Sequence, residues 1–222
     1  MFYIIIYNMQ FYGLHDLDKK MLKYINYKNG VFIEVGANDG LTQSNTAYFE
    51  KNLNWTGLLI EPNNEQFLKC KENRKNSIVE NYALVSKNYK EECVIGNFTN
   101  QKANGLMSMT LDLGDYTEDH MLKQKNAILS EQLVKCRSIT LTKLLDKHNF
   151  DKIDFFSLDV EGYEISVLNG LDFNKYRPKY ILIETANREI YQNKIKEYMK
   201  EKNYIFLERL SLNDDLFINK NI

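Results

Sequence analysis

The stretch Glu34-Val-Gly-Ala-Asn-Asp-Gly40 (EVGANDG) comes directly after the apolar run Val31-Phe32-Ile33. A strand, a glycine-bearing turn and then a helix-like stretch is how nucleotide-type cofactors are held at the carboxyl end of a strand. A dinucleotide turn reads G-x-G-x-x-G, its second glycine letting the backbone approach a pyrophosphate. Counted from Gly36, those positions are Asn38 and Leu41, so the pyrophosphate cradle is missing. The turn permits one close backbone approach. That suits a nucleoside cofactor without phosphates, of which S-adenosylmethionine is the common one.

Outward from this turn, strand-like and helix-like segments alternate, which argues for βαβ units. Strands are expected at Val31–Val35, Gly57–Glu61, Ile78–Ala83, Asp154–Asp159, Tyr180–Glu184, Tyr204–Glu208 and Asp215–Ile218. The first, fourth and fifth are nearly continuous apolar runs, as strands buried on both faces are. Helices are expected at Asp16–Ile25, Ser44–Asn52, Asn64–Asn73, Leu141–His148, Tyr163–Leu168 and Glu189–Lys202. The last two strands are joined by the few polar residues Arg209 to Asp214, so one antiparallel strand enters an otherwise parallel sheet. Seven strands with a terminal reversed hairpin resemble the class I methyltransferase sheet, Rossmann-like, with helices on both faces.

The length of 222 residues, 44% of them hydrophobic, suits one domain, 1–222, around a single sizeable core. Within it, 97–132 breaks the alternation and reads as a substrate-side cap or loop insertion. The formal charge of −1 gives no basic face for a nucleic-acid partner. The scattered Cys70, Cys93 and Cys136 have neither disulfide nor zinc spacing, and idle reduced thiols fit a cytoplasmic protein. The apolar start, Met1 to Tyr7, is too short to span a bilayer and lacks the features of a signal peptide; an added edge strand would explain it.

A carboxylate ending the second strand of such a sheet accepts hydrogen bonds from ribose hydroxyls, and Glu61, before the strand-stopping Pro62, stands there. Glu34, at the tip of the first strand, would face the cationic methionine end. Asn81, near the end of the third strand, is the candidate for the adenine edge, with turn formation as its other role.

FIEVGANDGLTQSNTAYFEKNLNWTGLLIEPN, Phe32 to Asn63, resembles the FkbM family of S-adenosylmethionine-dependent methyltransferases, in its branch with G-A-N-D-G, S-N-T, W-x-G and I-E-P elements. SITLTKLLDKHNFDKIDFFSLDVEGYEISVLNGLDF, Ser138 to Phe173, is similar to the same family's D-V-E-G run. QFYGLHD, Gln10 to Asp16, is similar to a shorter element upstream of the first strand, and DDLFI, Asp214 to Ile218, to the closing strand. Ser157 stands where some members carry a lysine. The resemblance implies S-adenosylmethionine as cofactor and, usually, O-methylation. Carried onto this chain, the cofactor contacts are Glu34, Gly36, Asn38, Gly40, Glu61 and Asn81. Asn45 and Thr46 join them at the start of the next helix, with Ala37, Pro62, Ala83 and Asp159 alongside.

The methyl of such a cofactor is already activated, so the protein must align donor and acceptor and remove a proton from the acceptor. Asp159, at the end of the fourth strand, is the expected base or substrate anchor, with Glu161 assisting. Helix capping is the plainer role for Asp159. Glu184 ends the neighbouring strand, so Asp159 and Glu184 are the candidates to hold Mg²⁺ if a metal takes part. His120, in the cap, Tyr163, beside D-V-E-G, and Glu184 are candidates to meet the acceptor, a sugar, glycan or other small molecule. His148 reads as a solvated helix terminus. Three other classes stay open here: a catalytically inactive cofactor-binding module, a nucleic-acid methyltransferase and, disfavoured by Asn38 and Leu41, a dehydrogenase. Charge balance and the missing N/D-P-P-Y/F-type motif argue against the nucleic-acid enzyme. The oligomeric state is not legible.

Overall fold

The structure, a computed structural model, describes residues 10–97, 109–110, 134–185 and 189–221. The apolar start, His120 and nearly all of the expected cap lie outside them. In chain order the first strands are β1 (Val31–Val35), β2 (Thr56–Ile60), β3 (Ile78–Glu80), β4 (Ala83–Leu84), β5 (Cys93–Asn97) and β6 (Met109–Thr110). They are followed by β7 (Val134–Ile139), β8 (Phe155–Leu158), β9 (Tyr180–Glu184), β10 (Tyr204–Arg209) and β11 (Asp214–Asn219). The helices are α1 (Leu17–Met21), α2 (Ala47–Leu53), α3 (Asn64–Asn73), α4 (Leu141–Lys147), α5 (Glu164–Asn169) and α6 (Glu189–Glu201).

The main sheet has seven strands in the order β10-β11-β9-β8-β1-β2-β3. β11 is antiparallel to both its neighbours, and the pairs from β9 to β3 are all parallel. This is the seven-stranded, mostly parallel α/β sheet with a terminal antiparallel hairpin expected from the class I methyltransferase pattern. Its central strands are apolar at most positions because both faces are covered. Side chains alternate across the sheet: Phe32, Phe155 and Leu182 pack with Leu17, Met21, Phe49 and Trp55 on one face. Ile33, Phe156 and Ile183 pack with Leu144, Leu168, Ile195 and Met199 on the other. Each such fully buried side chain contributes roughly 1.5–3 kcal/mol. The sandwiched middle of the sheet therefore fixes the position of the strand ends that carry polar residues.

The expected third strand is two. β3 stops at Glu80, and β4 pairs in parallel with β7 in a second, four-stranded sheet of order β4-β7-β5-β6. Asn81 makes the break: its amide nitrogen donates to the carbonyls of Glu61 (2.8 Å) and Pro62 (3.1 Å), holding this bend against the end of β2. Ala83 thus belongs to the second sheet. Two helix starts are capped by their own side chains. Asn63 Oδ1 accepts from the amides of Glu65 and Gln66, and Thr140 Oγ1 from that of Lys143.

Candidate functional site

The polar residues of interest collect at the carboxyl edge of the main sheet, where ligands bind in open α/β folds. The β1 turn is drawn tight by bonds from Gly36 and Ala37 N–H to the Ile60 carbonyl, both 3.1 Å, and from Gly40 N–H to the Ala37 carbonyl, 2.8 Å. Gly36 has φ +82°, and a Cβ there would lie 1.9 Å from the carbonyl oxygen of Asp159. Only glycine lets the turn lean on the end of β8 this closely.

Glu61 is buried one residue beyond β2. Its Oε2 accepts from the Asn38 amide and its Oε1 from the Asn63 amide, both at 2.8 Å. Burial nevertheless pushes its pKa up to about 7, against the pull of those two amides. Each oxygen keeps lone-pair capacity for a further donor. Asn38, in left-handed backbone at φ 49°, is 7% exposed, and Asn45 is 8% exposed. Among the described residues, the Oδ1 atoms of both are buried without a hydrogen-bond partner. Buried acceptors left without donors are costly, so these two mark where a ligand's donors would be satisfied. The Asn45 amide nitrogen donates to Ser157 Oγ at 3.0 Å, tying this loop to β8.

Glu34 is turned inward instead of meeting a ligand's cationic end. Its Oε1 accepts from the Asn45 amide (2.7 Å), and its Oε2 from Ser44 Oγ (2.8 Å), Thr46 Oγ1 (2.6 Å) and Arg74 Nη1 (3.4 Å). Arg74, fully buried, organises the whole loop. It also donates to Gly40 O (3.0 Å), Ser44 Oγ (3.1 Å), Thr46 Oγ1 (2.9 Å) and Glu50 Oε2 (2.8 Å). Thr46, whose hydroxyl is spent on Glu34 and Arg74, is likewise internal. Both are loop-holding residues. Arg74 escaped the sequence reading because an arginine in the run Glu72-Asn-Arg-Lys75 looks like any solvated helix end.

Across Gly36 from the turn lie the carboxylates. Oxygens of Asp159, Glu161 and Glu184 come within 4.8 Å of one another; Asp159 is exposed and the other two half-buried. Protein crowded around the Asp159 carboxylate raises its pKa, and a hydrogen bond with Glu184 opposes the rise. Glu184 is raised by burial and then by the charges of Asp159 and Glu161. Two acids this close resist being ionised together. The same three oxygens are the donor type a hard cation such as Mg²⁺ accepts. Glu164, fully buried, holds the D-V-E-G turn: its Oε1 accepts from the amides of Val160 (3.1 Å) and Gly162 (3.0 Å), and the Tyr191 hydroxyl bonds its Oε2.

Because β11 is reversed, its first residue reaches this same edge. Asp214 stands in register with Glu184. Burial pushes its pKa up to about 6, helped by Asp159 and opposed by its bond to Ser211 and by His15. Sequence reading missed Asp214 as a site residue because it looked like ordinary strand-end charge.

Two expectations need correcting. Tyr163 is 5% exposed and belongs to the main core cluster, so its ring has almost no surface left on which an acceptor could stack. His148 is not a free helix terminus: it is half-buried, and its Nε2 lies 2.6 Å from Glu80 Oε1, which also receives Lys147 Nζ at 2.5 Å.

A comparison with curated proteins finds no match. Among solved structures, this chain is similar to methyltransferase FkbM from Methylobacillus flagellatus KT, at 12% identity and TM-score 0.52, covering 88% of this chain and 45% of that one. M. capricolum TrmK, in complex with S-adenosyl-homocysteine, is similar at 10% identity and TM-score 0.46, covering 92% and 67%. A methyltransferase from Pyrococcus furiosus is similar at 16% identity and TM-score 0.43, covering 98% and 92%. At these identities the likeness is one of fold, carried by the Methylobacillus structure, of whose length this chain spans less than half. A family model, Methyltransferase FkbM domain, matches residues 34–206, a span that holds the β1 turn, Glu61, Asp159 and Glu184. The chain therefore belongs to the FkbM methyltransferase family.

Proposed function

We propose that this chain, as one methyltransferase domain, transfers a methyl group from S-adenosylmethionine to a hydroxyl of a sugar, glycan or other small-molecule acceptor. The observation that carries the reading is the contact of Gly36 with the Asp159 carbonyl, which sets a cofactor half against a carboxylate half. On the cofactor side, Glu61 has capacity for the two ribose hydroxyls. The partnerless Oδ1 atoms of Asn38 and Asn45 suit the cofactor's remaining donors, its α-ammonium among them. Gly36, Ala37 and Gly40 admit the ligand to the backbone, while Asn81, Pro62 and Ala83 form the side nearest β3. When bound, the cofactor supplies an electrophilic methyl on a cationic sulfur.

On the other side, Asp159, with Glu161 and Glu184, receives and orients acceptor hydroxyls, for which carboxylate oxygens are strong hydrogen-bond acceptors. The segment 97–132 is the proposed cap over the acceptor, supported by its start in β5 and the strand after it, β7, which pair antiparallel and so bring the chain back to one place. Nothing in the reading requires a metal. The near-neutral charge favours a neutral small acceptor over a nucleic acid. Free cysteines accord with a cytoplasmic setting, and among the described residues no helix is long and apolar enough to cross a membrane.

Calorimetry with S-adenosyl-homocysteine tests the core of the reading, with binding in the micromolar range expected. Labelled cofactor is then screened against sugars, nucleotide sugars and lipid-linked glycans. Asp159→Asn is expected to keep cofactor affinity and lose transfer. No binding at high micromolar ligand would sink the reading.

A further inference from the structure

Single exposed apolar side chains are common on protein surfaces, so it is their placement that carries meaning. Among the described residues, the two most exposed large apolar side chains are Ile190, at 78%, and Leu212, at 71%. Neither has a part in the reading above, yet both are fixed beside the carboxylates.

Leu212 sits in the turn between β10 and β11, and that turn is tightly closed. The Leu210 amide donates to the Asp214 carbonyl at 2.9 Å, the Asn213 amide to Ser211 Oγ at 3.0 Å, and Ser211 Oγ to the Asp214 carboxylate. The turn is also bound to the residue after Glu184: the Asn213 carbonyl accepts from the Thr185 amide at 2.6 Å and from its hydroxyl at 3.0 Å. Leu212, next to Asn213, therefore stands at the end of β9. Ile190 is the second residue of α6, and its neighbour fixes it: the Tyr191 hydroxyl bonds Glu164, whose other oxygen accepts from the two amides flanking Glu161. Two separate elements thus bring an exposed apolar side chain to the same group, one by way of Glu184 and the other by way of Glu161, whose oxygens lie within 4.8 Å of each other. The exposed Leu14 adds a third. Gly13, before it, bridges Gln43, and a Cβ on Gly13 would lie 3.0 Å from Asn45 Oδ1; Asn45 in turn holds Ser157, two residues before Asp159.

We propose that the acceptor is amphipathic, a hydroxyl-bearing head that the carboxylates receive, joined to an aliphatic chain that covers Ile190 and Leu212. This rests on the methyltransferase reading and narrows its acceptor. A bare sugar carries hydroxyls on all its edges, and apolar side chains leave those hydroxyls without partners. An aliphatic chain has none to satisfy, and laying it on Ile190 and Leu212 removes apolar surface of both from water. The occupant is one molecule's chain and not a bilayer: the acids beside these residues, Glu161, Glu184 and Asp214, are repelled by an anionic membrane surface.

Methyl β-D-glucoside and n-octyl β-D-glucoside, the latter below its micelle concentration, share a head and differ in chain. Each is titrated into protein saturated with S-adenosyl-homocysteine. Methyl signals of Ile190 and Leu212 are followed by NMR and assigned by their loss in Ile190→Thr and Leu212→Ser, exposed sites where such changes leave the fold intact. The octyl compound is expected to move both signals and to bind at least about tenfold tighter, since each covered CH₂ is worth up to about fourfold. The double variant should bring its affinity down to that of the methyl compound, at unchanged S-adenosyl-homocysteine affinity. In the labelled-cofactor screen, an octyl glycoside of an accepted sugar should show a lower KM than the methyl glycoside at similar kcat, and the double variant should abolish the difference. Equal affinity for the two glucosides, or a difference that survives the double variant, overturns the proposal. So do signals that respond to phosphatidylcholine vesicles and not to octyl glucoside, which indicate a membrane surface, or signals that move with protein concentration alone, which indicate a second copy. Calorimetry separates the failures. Without S-adenosyl-homocysteine binding, the methyltransferase reading falls and this proposal with it; binding with equal glucoside affinities defeats this proposal alone.

Discussion

Replacing Arg74 with methionine keeps most of the side-chain stem and deletes the guanidinium. Five donor–acceptor contacts disappear, to Glu50, Glu34, Gly40, Ser44 and Thr46. Two carboxylates, Glu34 and Glu50, with side chains 6% and 4% exposed, are left without their cation. Breaking a buried ion pair by removing one partner costs about 3–5 kcal/mol. A domain has about 5–15 kcal/mol in total, so the variant still folds but loses a large part of its margin. At this chain length each kcal/mol lowers Tm by about 2–4 °C, giving a fall of about 6–20 °C. Urea titration followed by circular dichroism measures the same loss as a lower midpoint at unchanged slope. Adding Glu50→Gln should recover part of it, because one stranded charge is gone. A loss under about 1 kcal/mol would show that the network is not what holds the 40–46 loop, and the account of Arg74 would have to be abandoned.

Glu61 links pH to both stability and ligand affinity. Its folded pKa of about 7 lies above its ordinary 4.5, so the folded apo protein holds the proton more tightly than the unfolded chain does. Stability from this group is therefore present below pH 4.5 and is lost as pH rises to about 7. Ribose hydroxyls donate to the ionised form, so S-adenosyl-homocysteine affinity should rise with pH and level off above 7, the slope approaching about tenfold per unit below it. Calorimetry across this range checks the trend; a flat wild-type profile, or a slope that survives Glu61→Gln, contradicts it. Gly36→Ala forces a Cβ to within 1.9 Å of the Asp159 carbonyl at φ +82°. Affinity for S-adenosyl-homocysteine should drop at least about tenfold, equivalent to ~1.4 kcal/mol; unchanged binding means the turn and the end of β8 are not in the contact described.

The sheet was legible because its central strands, such as Tyr180-Ile-Leu-Ile-Glu184, are apolar at consecutive positions, a pattern that only burial on both faces explains. The residues at strand ends followed from it, since Glu61, Asp159 and Glu184 each close an apolar run. Legibility failed where a role depends on what a side chain meets across the fold. Glu34 and Glu61 look alike in sequence, each the carboxylate at the end of an apolar run. The partner that separates them, Arg74, lies forty residues beyond Glu34. The break between β3 and β4 depends on the Asn81 amide finding the carbonyls of Glu61 and Pro62, a contact with no local sequence signal. Tyr163 misled because a motif neighbour was read as a site neighbour, although one residue further along a turn can reverse a side chain's direction.

The place of β11 in the sheet has a consequence for synthesis. It is the latest strand in the chain, yet it is inserted between β9 and β10 and not added outside them. Until residues 214–219 leave the ribosome, residues 204–209 have no strand to pair with, and β9 keeps an open edge. The translating chain can assemble the parallel core from β3 to β9 early, but its apolar Tyr204-Ile-Phe-Leu207 segment must wait, unpaired, for a strand made after it.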